Sequence, residues 1–187
     1  MSKRLILASN SPRRKEILTN AGFNIEIIPS TFEEVAQDLS PTETVKNFAF
    51  NKAKEVFERL NDSNAIVVGA DTVVSLDNVI LGKPKDRLDA TNMLKNLSGK
   101  THQVYTGYCI YSSKKVVVDA VKSEVTFNPL TDQNIDLYVA SGKPMDKAGA
   151  YGIQDGYGLI KGYKGSYNNV VGLPIEDIKP IIKSLLD

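Results

Sequence analysis

The chain is 187 residues long with 42% hydrophobic side chains, enough for one domain of ordinary to large size, residues 1–187, with a proper core. Its 23 lysines and arginines against 22 aspartates and glutamates leave a net charge near zero and no basic run, which argues against nucleic acid as a partner. One cysteine (Cys109) and one histidine (His102) exclude an intrachain disulfide and a Cys/His zinc cluster, so any metal must be a hard cation held by carboxylates, water and substrate oxygens.

Residues 4–8 read as a short apolar strand. Ser11 then caps a helix with Pro12 in its first position, Ile17, Leu18 and Ala21 on its inward face and Gly22 as its stop. Residues 24–29 predict a second strand, and 31–39 form a polar connection containing Glu33 and Glu34. Ser40-Pro41-Thr42-Glu43 is a capping box, from which a helix should run to about Leu60. Residues 66–74 predict a buried strand, and Asp77-Asn78 marks a hairpin into 79–81. Asp86 caps a helix carrying Met93, Leu94 and Leu97 and closed by Ser98-Gly99. Residues 101–112 and 116–127 form a strand pair turned at Ser113-Lys114, and Thr131 opens a helix that ends near Ser141-Gly142. A glycine-rich stretch covers 143–167, followed by a strand at Val170-Val171 and a helix after Pro174. The pattern is α/β with a mixed sheet. No apolar run approaches the roughly 20 residues of a bilayer span and no signal-peptide core opens the chain, so a cytoplasmic protein without a membrane partner is expected.

Five stretches could carry chemistry. Arg13 and Arg14 fall in the first turn of the first helix, where the macrodipole disfavours cations; they are either solvated or repaid by a bound anion. Asp71 interrupts the apolar run IVVGADTVV, either as a structural aspartate bonded to backbone or at a strand end facing a cleft, where it could hold a cation or accept a proton from water. Strand alternation points Asp71 and Thr72 to opposite faces unless the strand bends. Lys52 sits within the stripe of Val45, Phe48, Ala49 and Val56, either snorkelling or reaching through it toward a phosphate. Lys83 in Gly82-Lys83-Pro84-Lys85 is an ordinary basic loop alone, and a cage for several negative charges when grouped with Arg13, Arg14 and Lys52. KPMDKAGAYGIQ, from 143 to 154, is either a surface loop or a place where a flat ligand approaches small residues and Gln154 reads a base edge. Gly99-Lys100-Thr101 imitates a P-loop tail, but Leu94 stands where its earlier glycine belongs and the segment follows a helix, so it is rejected.

The segments LASNSPRRKEIL, TFEE, Asn51-Lys52-Ala53, VVGADTVV, GKPKD, LSGKTHQVYTG, SGKPMDKAGAYGIQ and GSYNNVVGLP, in this order over nearly the whole chain, resemble the Maf family of nucleoside triphosphate pyrophosphatases. AGAYGIQ is similar to the branch acting on dTTP and UTP, and differs from the branch preferring 7-methyl-GTP. The resemblance implies an elongated, strongly twisted mixed sheet flanked by helices, with two lobes around a central cleft and an inosine-triphosphatase-like fold, forming a homodimer. It implies Asp71 as the proton acceptor and Arg13, Thr72 and Gln154 as the positions tied to substrate choice. Ser9, Arg13, Arg14, Lys52 and Lys83 would hold phosphates, and Asp71 with Glu34 a Mg²⁺ or Mn²⁺ ion. The implied reaction is hydrolysis of a pyrimidine nucleoside triphosphate to monophosphate and pyrophosphate, in nucleotide-pool sanitation or cell-division arrest. A nucleotide-binding regulator of septum formation and an inosine-type purine triphosphate pyrophosphatase are the alternatives.

Overall fold

Strand alternation and helix capping together account for the architecture of the computed structural model, which describes residues 3–35 and 37–187. The elements in order are β1 (Arg4–Leu7), α1 (Pro12–Asn20), β2 (Glu26–Ile27), α2 (Pro41–Leu60), β3 (Ala65–Leu76), β4 (Val79–Leu81) and α3 (Arg87–Leu97). They continue with β5 (Thr101–Ser112), β6 (Val116–Phe127), α4 (Asp132–Ala140), β7 (Ile160–Lys164), α5 (Tyr167–Val171) and α6 (Ile175–Leu186), with two short 3₁₀ turns at Lys143–Asp146 and Ala148–Ala150. The sheet is mixed, in the order β2-β1-β3-β5-β6-β7 with β4 on β3. β1 runs parallel to β2 and β3, whereas β3–β4 and β6–β7 are antiparallel.

The chain forms two compact units. The first comprises Met1–Asp71, Thr106–Val121 and Gly172–Asp187. Within it, alternate residues face different helices, as a period-two backbone requires. Leu5 and Leu7 of β1 and Ile66, Val68 and Ala70 of β3 pack with Leu18 of α1 and Ile178, Ile182 and Leu185 of α6. Ile6, Ala8, Ala65 and Val67 pack with Ala49, Ala53 and Val56 of α2. The second unit comprises Thr72–Tyr105 and Lys122–Val171. Its core joins Ala90, Leu94 and Leu97 of α3, Ile135, Tyr138 and Val139 of α4, and Val104, Val125 and Phe127 of the strands.

Local chemistry fixes the boundaries. Ser40 and Glu43 complete the capping box, and Asn61 closes α2 in the left-handed region at φ 48°. Asp77 (φ 51°) and Asn78 (φ 65°) supply the two positive angles of a primed hairpin turn between β3 and β4. Three expectations are corrected. The second strand shrinks to Glu26–Ile27, both exposed at the edge of the sheet. Val170 and Val171 end a short helix, because Ser166 caps it: the Ser166 hydroxyl accepts from Asn169 N and its carbonyl from Val170 N. The glycine-rich stretch is not merely surface, since Ala150, Tyr151 and Leu159 lie in the second core, and it holds β7, which its glycines and charges conceal. Among the described residues no helix is long and apolar enough to cross a membrane.

Candidate active site

In the first unit, the loop from β1 into α1 gathers hydroxyls and guanidinium groups. Ser11 caps α1, and Ser9 Oγ accepts from Ser11 N at 3.1 Å and from Arg14 Nη1 at 3.3 Å. Arg14 Nε donates to the carbonyl oxygen of Gly172 at 2.8 Å, tying the start of α1 to the segment entering α6. Burial lowers the pKa of Arg14; Asp71 and Glu34 oppose that shift, and the neighbouring Arg13 adds to it. Ser9, Arg13 and Arg14 are thus held beside one another.

The acidic half of this site is set by backbone packing. A Cβ on Gly69 would collide with the carbonyl oxygen of Ala49 and lie 2.9 Å from Ala53 Cβ, and one on Gly107 would lie 2.7 Å from Lys46 N. Only glycine lets α2 approach β3 and β5 this closely. Asp71 follows Gly69 by two residues, so it shares the face that meets α2. Lys52 projects from α2 at that height, and its ammonium lies 2.9 Å from Asp71 Oδ1 and 2.5 Å from Glu34 Oε1. Lys52 therefore does not snorkel to solvent. It bridges two carboxylates, one 7% exposed and the other at the open edge.

Burial raises the pKa of Asp71. The charge and hydrogen bond of Lys52 pull it back down, Glu34 pushes it further up, and Arg14 lowers it. Taking this carboxylate out of water makes its charged form costly, and the neighbouring cations offset part of that cost. Arg14 and Lys52 both bear on the Asp71 carboxylate, and Arg13 bears on Arg14, so positive groups gather on this side of the first unit. Asp71 is not at a strand end as expected: β3 continues to Leu76 because its last residues pair with β4.

The second unit holds the other expected positions. Thr72 is half-buried, and in an unbroken strand its side chain takes the face opposite Asp71. Lys83 is exposed between Gly82, whose carbonyl accepts from Gly149 N at 3.0 Å, and the buried Pro84. Gln154 is exposed on a turn closed by Asp155 N donating to Gly152 O at 3.1 Å. His102 is fully buried with Nε2 2.6 Å from the Tyr151 hydroxyl, and burial lowers its pKa to about 4. Thr101 joins Thr126 through their hydroxyls, a pairing of strand neighbours with no resemblance to a phosphate cradle.

Sequence reasoning missed Gly172, whose carbonyl anchors Arg14, and Tyr138, which holds the turn bearing Gln154. A carbonyl leaves no mark in residue type, and a tyrosine at helical spacing reads as core. For a metal, the described residues contain no cluster of three or more His, Cys, Asp or Glu side chains. Two carboxylates converging on one ammonium are a donor set of the kind a hard cation uses when water and phosphate oxygens complete its shell. The residues fit that chemistry.

Residues 4–185 match the family described as Maf-like protein. A dTTP/UTP pyrophosphatase of Bacillus mycoides (strain KBAB4) is 50% identical over 175 residues, which cover 92% of this chain and 91% of that protein. A dTTP/UTP pyrophosphatase of Bacillus anthracis is 50% identical over the same shares of the two chains. The solved structure of a nucleoside-triphosphatase / dITP/XTP pyrophosphatase from Mycobacterium abscessus aligns over 98% of each chain, with a TM-score of 0.49 and 13% identity. With a family match from β1 into the last turn of α6 and half of all aligned residues shared with these relatives, the chain belongs to the Maf-like protein family.

Proposed function

We propose that this protein hydrolyses dTTP and UTP to the nucleoside monophosphate and pyrophosphate. The observation that carries the reading is the buried Asp71 held by Lys52, with the buried Arg14 close enough to act on its charge. The names of the half-identical relatives supply the substrate class.

Asp71 accepts the proton of the attacking water. Desolvation makes it a stronger base than a solvated aspartate, and the charge and hydrogen bond of Lys52 favour its ionised form. Arg13, Arg14 and Lys52, with Lys83, neutralise the triphosphate and hold the charge that develops on the leaving pyrophosphate. The Ser9 hydroxyl and the first backbone N–H groups of α1 orient phosphate oxygens. Gln154, with donor and acceptor on one amide, reads the pyrimidine edge, and Thr72 and Arg13 share in substrate choice. Asp71 and Glu34 would hold Mg²⁺ or Mn²⁺; when bound, such an ion polarises a phosphate oxygen and makes a water more acidic.

A panel of dTTP, UTP, ITP and 7-methyl-GTP with Mg²⁺, read by pyrophosphate release, tests this. Release from dTTP and UTP ahead of the two purine nucleotides is expected, and preference for either purine nucleotide would overturn the substrate reading. EDTA should abolish turnover, and full activity in its presence would remove the metal from the scheme.

A further inference from the structure

We infer that Tyr138 is a positioning residue for substrate selection: its single phenolic oxygen clamps both ends of the turn that presents Gln154. This inference rests on the base-reading role given to Gln154 above. The turn runs from Gly152 to Asp155, with Ile153 and Gln154 at its centre. Tyr138 donates its O–H to Asp155 Oδ2 at 2.6 Å, and the same oxygen accepts from Gly152 N at 3.1 Å. One buried atom thus bonds the residue before the central pair and the residue after it.

The clamp is anchored deeply. Tyr138 lies on α4 and is 0% exposed. Its ring is covered by Tyr157 at a centroid distance of 5.0 Å, and Tyr157 is itself held at φ 60°, where an aromatic residue is rare. Burial and the Asp155 carboxylate raise the pKa of the phenol, so its proton stays in place to donate. Lys147 fixes the other side: its ammonium lies 3.4 Å from Asp155 Oδ2 and 3.0 Å from Asp146 Oδ1. Upstream, Tyr151 enters the core and meets His102. Gln154 is exposed, yet it rides on a turn whose flanks are both fixed in the core. An amide that selects one base over another gains from such fixation, since a side chain free to swing would accept donors and acceptors in either order.

Tyr138→Phe removes only the oxygen. It should raise KM for dTTP and UTP about tenfold, as expected for losing a charge-assisted hydrogen bond at a positioning site, while kcat changes less than twofold and the preference over ITP narrows. Asp155→Ala should do the same, and Asp155→Asn, which keeps an acceptor for the phenol, should restore most of the affinity. In a Gln154→Ala background, Tyr138→Phe should add nothing further. If Gln154→Ala alters the substrate profile while Tyr138→Phe and Asp155→Ala do not, the clamp is overturned and the base-reading role stands. If Gln154→Ala leaves the profile unchanged, the base-reading role falls first. Should the variants fail to fold, amide exchange in the unmodified protein decides: the Gly152 N–H should exchange slowly, and fast exchange would sink the clamp.

Discussion

Replacing Lys52 by methionine keeps an unbranched stem of similar length and removes the charge that faces Asp71. The two side chains are 13% and 10% exposed, so little solvent is available to take over from the ammonium. Removing one partner of a buried pair destabilises by about 3–5 kcal/mol. Arg14 remains as a second source of positive potential at Asp71, which places the loss near the lower end, about 3 kcal/mol at pH 8. For a chain of this length, that corresponds to a melting temperature lower by roughly 6–12 °C. The pH dependence follows from the direction of the Asp71 shift. Burial already raises this pKa, and the lost lysine was the chief influence lowering it, so the variant raises it further. Over the interval between the unfolded and folded values, the folded state retains a proton that the unfolded state has released. Stability therefore falls as pH rises through that interval, and returns as acid protonates the carboxyl. Melting curves of both proteins from pH 5 to pH 8 should show a deficit that is largest at pH 8 and shrinks toward pH 5. A deficit that is constant with pH, or that grows toward acid, would refute the claim that the Lys52 charge favours the ionised form of the buried Asp71.

Asp71→Asn should reduce pyrophosphate release from dTTP by at least about a thousandfold while the circular dichroism spectrum is unchanged; activity within tenfold of the parent would exclude Asp71 as the base. Gly69→Ala should lower the melting temperature by roughly 4–12 °C, the scale of a 2–3 kcal/mol overpacking strain, because the new methyl meets the α2 backbone, which cannot rotate away. A neutral Gly69→Ala would contradict the close approach of α2. His102 Hε1, followed by proton NMR, should titrate near pH 4 in the folded protein. Because unfolding returns the imidazole to its ordinary value of about 6.5, the unfolded state binds the extra proton between those limits. The His102 contribution, about 3 kcal/mol, is then present above pH 6.5 and lost as pH falls toward 4. A folded-state midpoint near 6.5 would show that this ring is not buried as described.

Capping signals made most of the fold legible, because they are local. Ser11-Pro12, the Ser40–Glu43 box, Asp86 and Thr131 each satisfy backbone donors within three residues, and the helices begin where those residues stand. The Asp77-Asn78 turn was equally plain, since few residues tolerate two successive positive φ angles. β7 and α5 were not legible: Ile160–Lys164 carries glycine and lysines, and its strand character comes from pairing with β6. At the site, the candidate polar residues were identifiable by type, but the partner that Lys52 chose was not. A lysine four residues from Phe48 and four from Val56 is compatible with solvent or with the interior. The choice depended on Gly69 and Gly107, far along the chain, which admit α2 close enough for its ammonium to reach β3.

Those two glycines make the contact between α2 and the strands a contact of main chain with main chain. The height at which Lys52 meets Asp71 is consequently dictated by atoms that every amino acid shares. Apolar side chains elsewhere along the helix can drift through evolution without lifting the ammonium from its partner. A single methyl at position 69 or 107, on a residue with no side chain of its own to offer a substrate, would by contrast register in an activity assay as though the chemistry itself had been damaged.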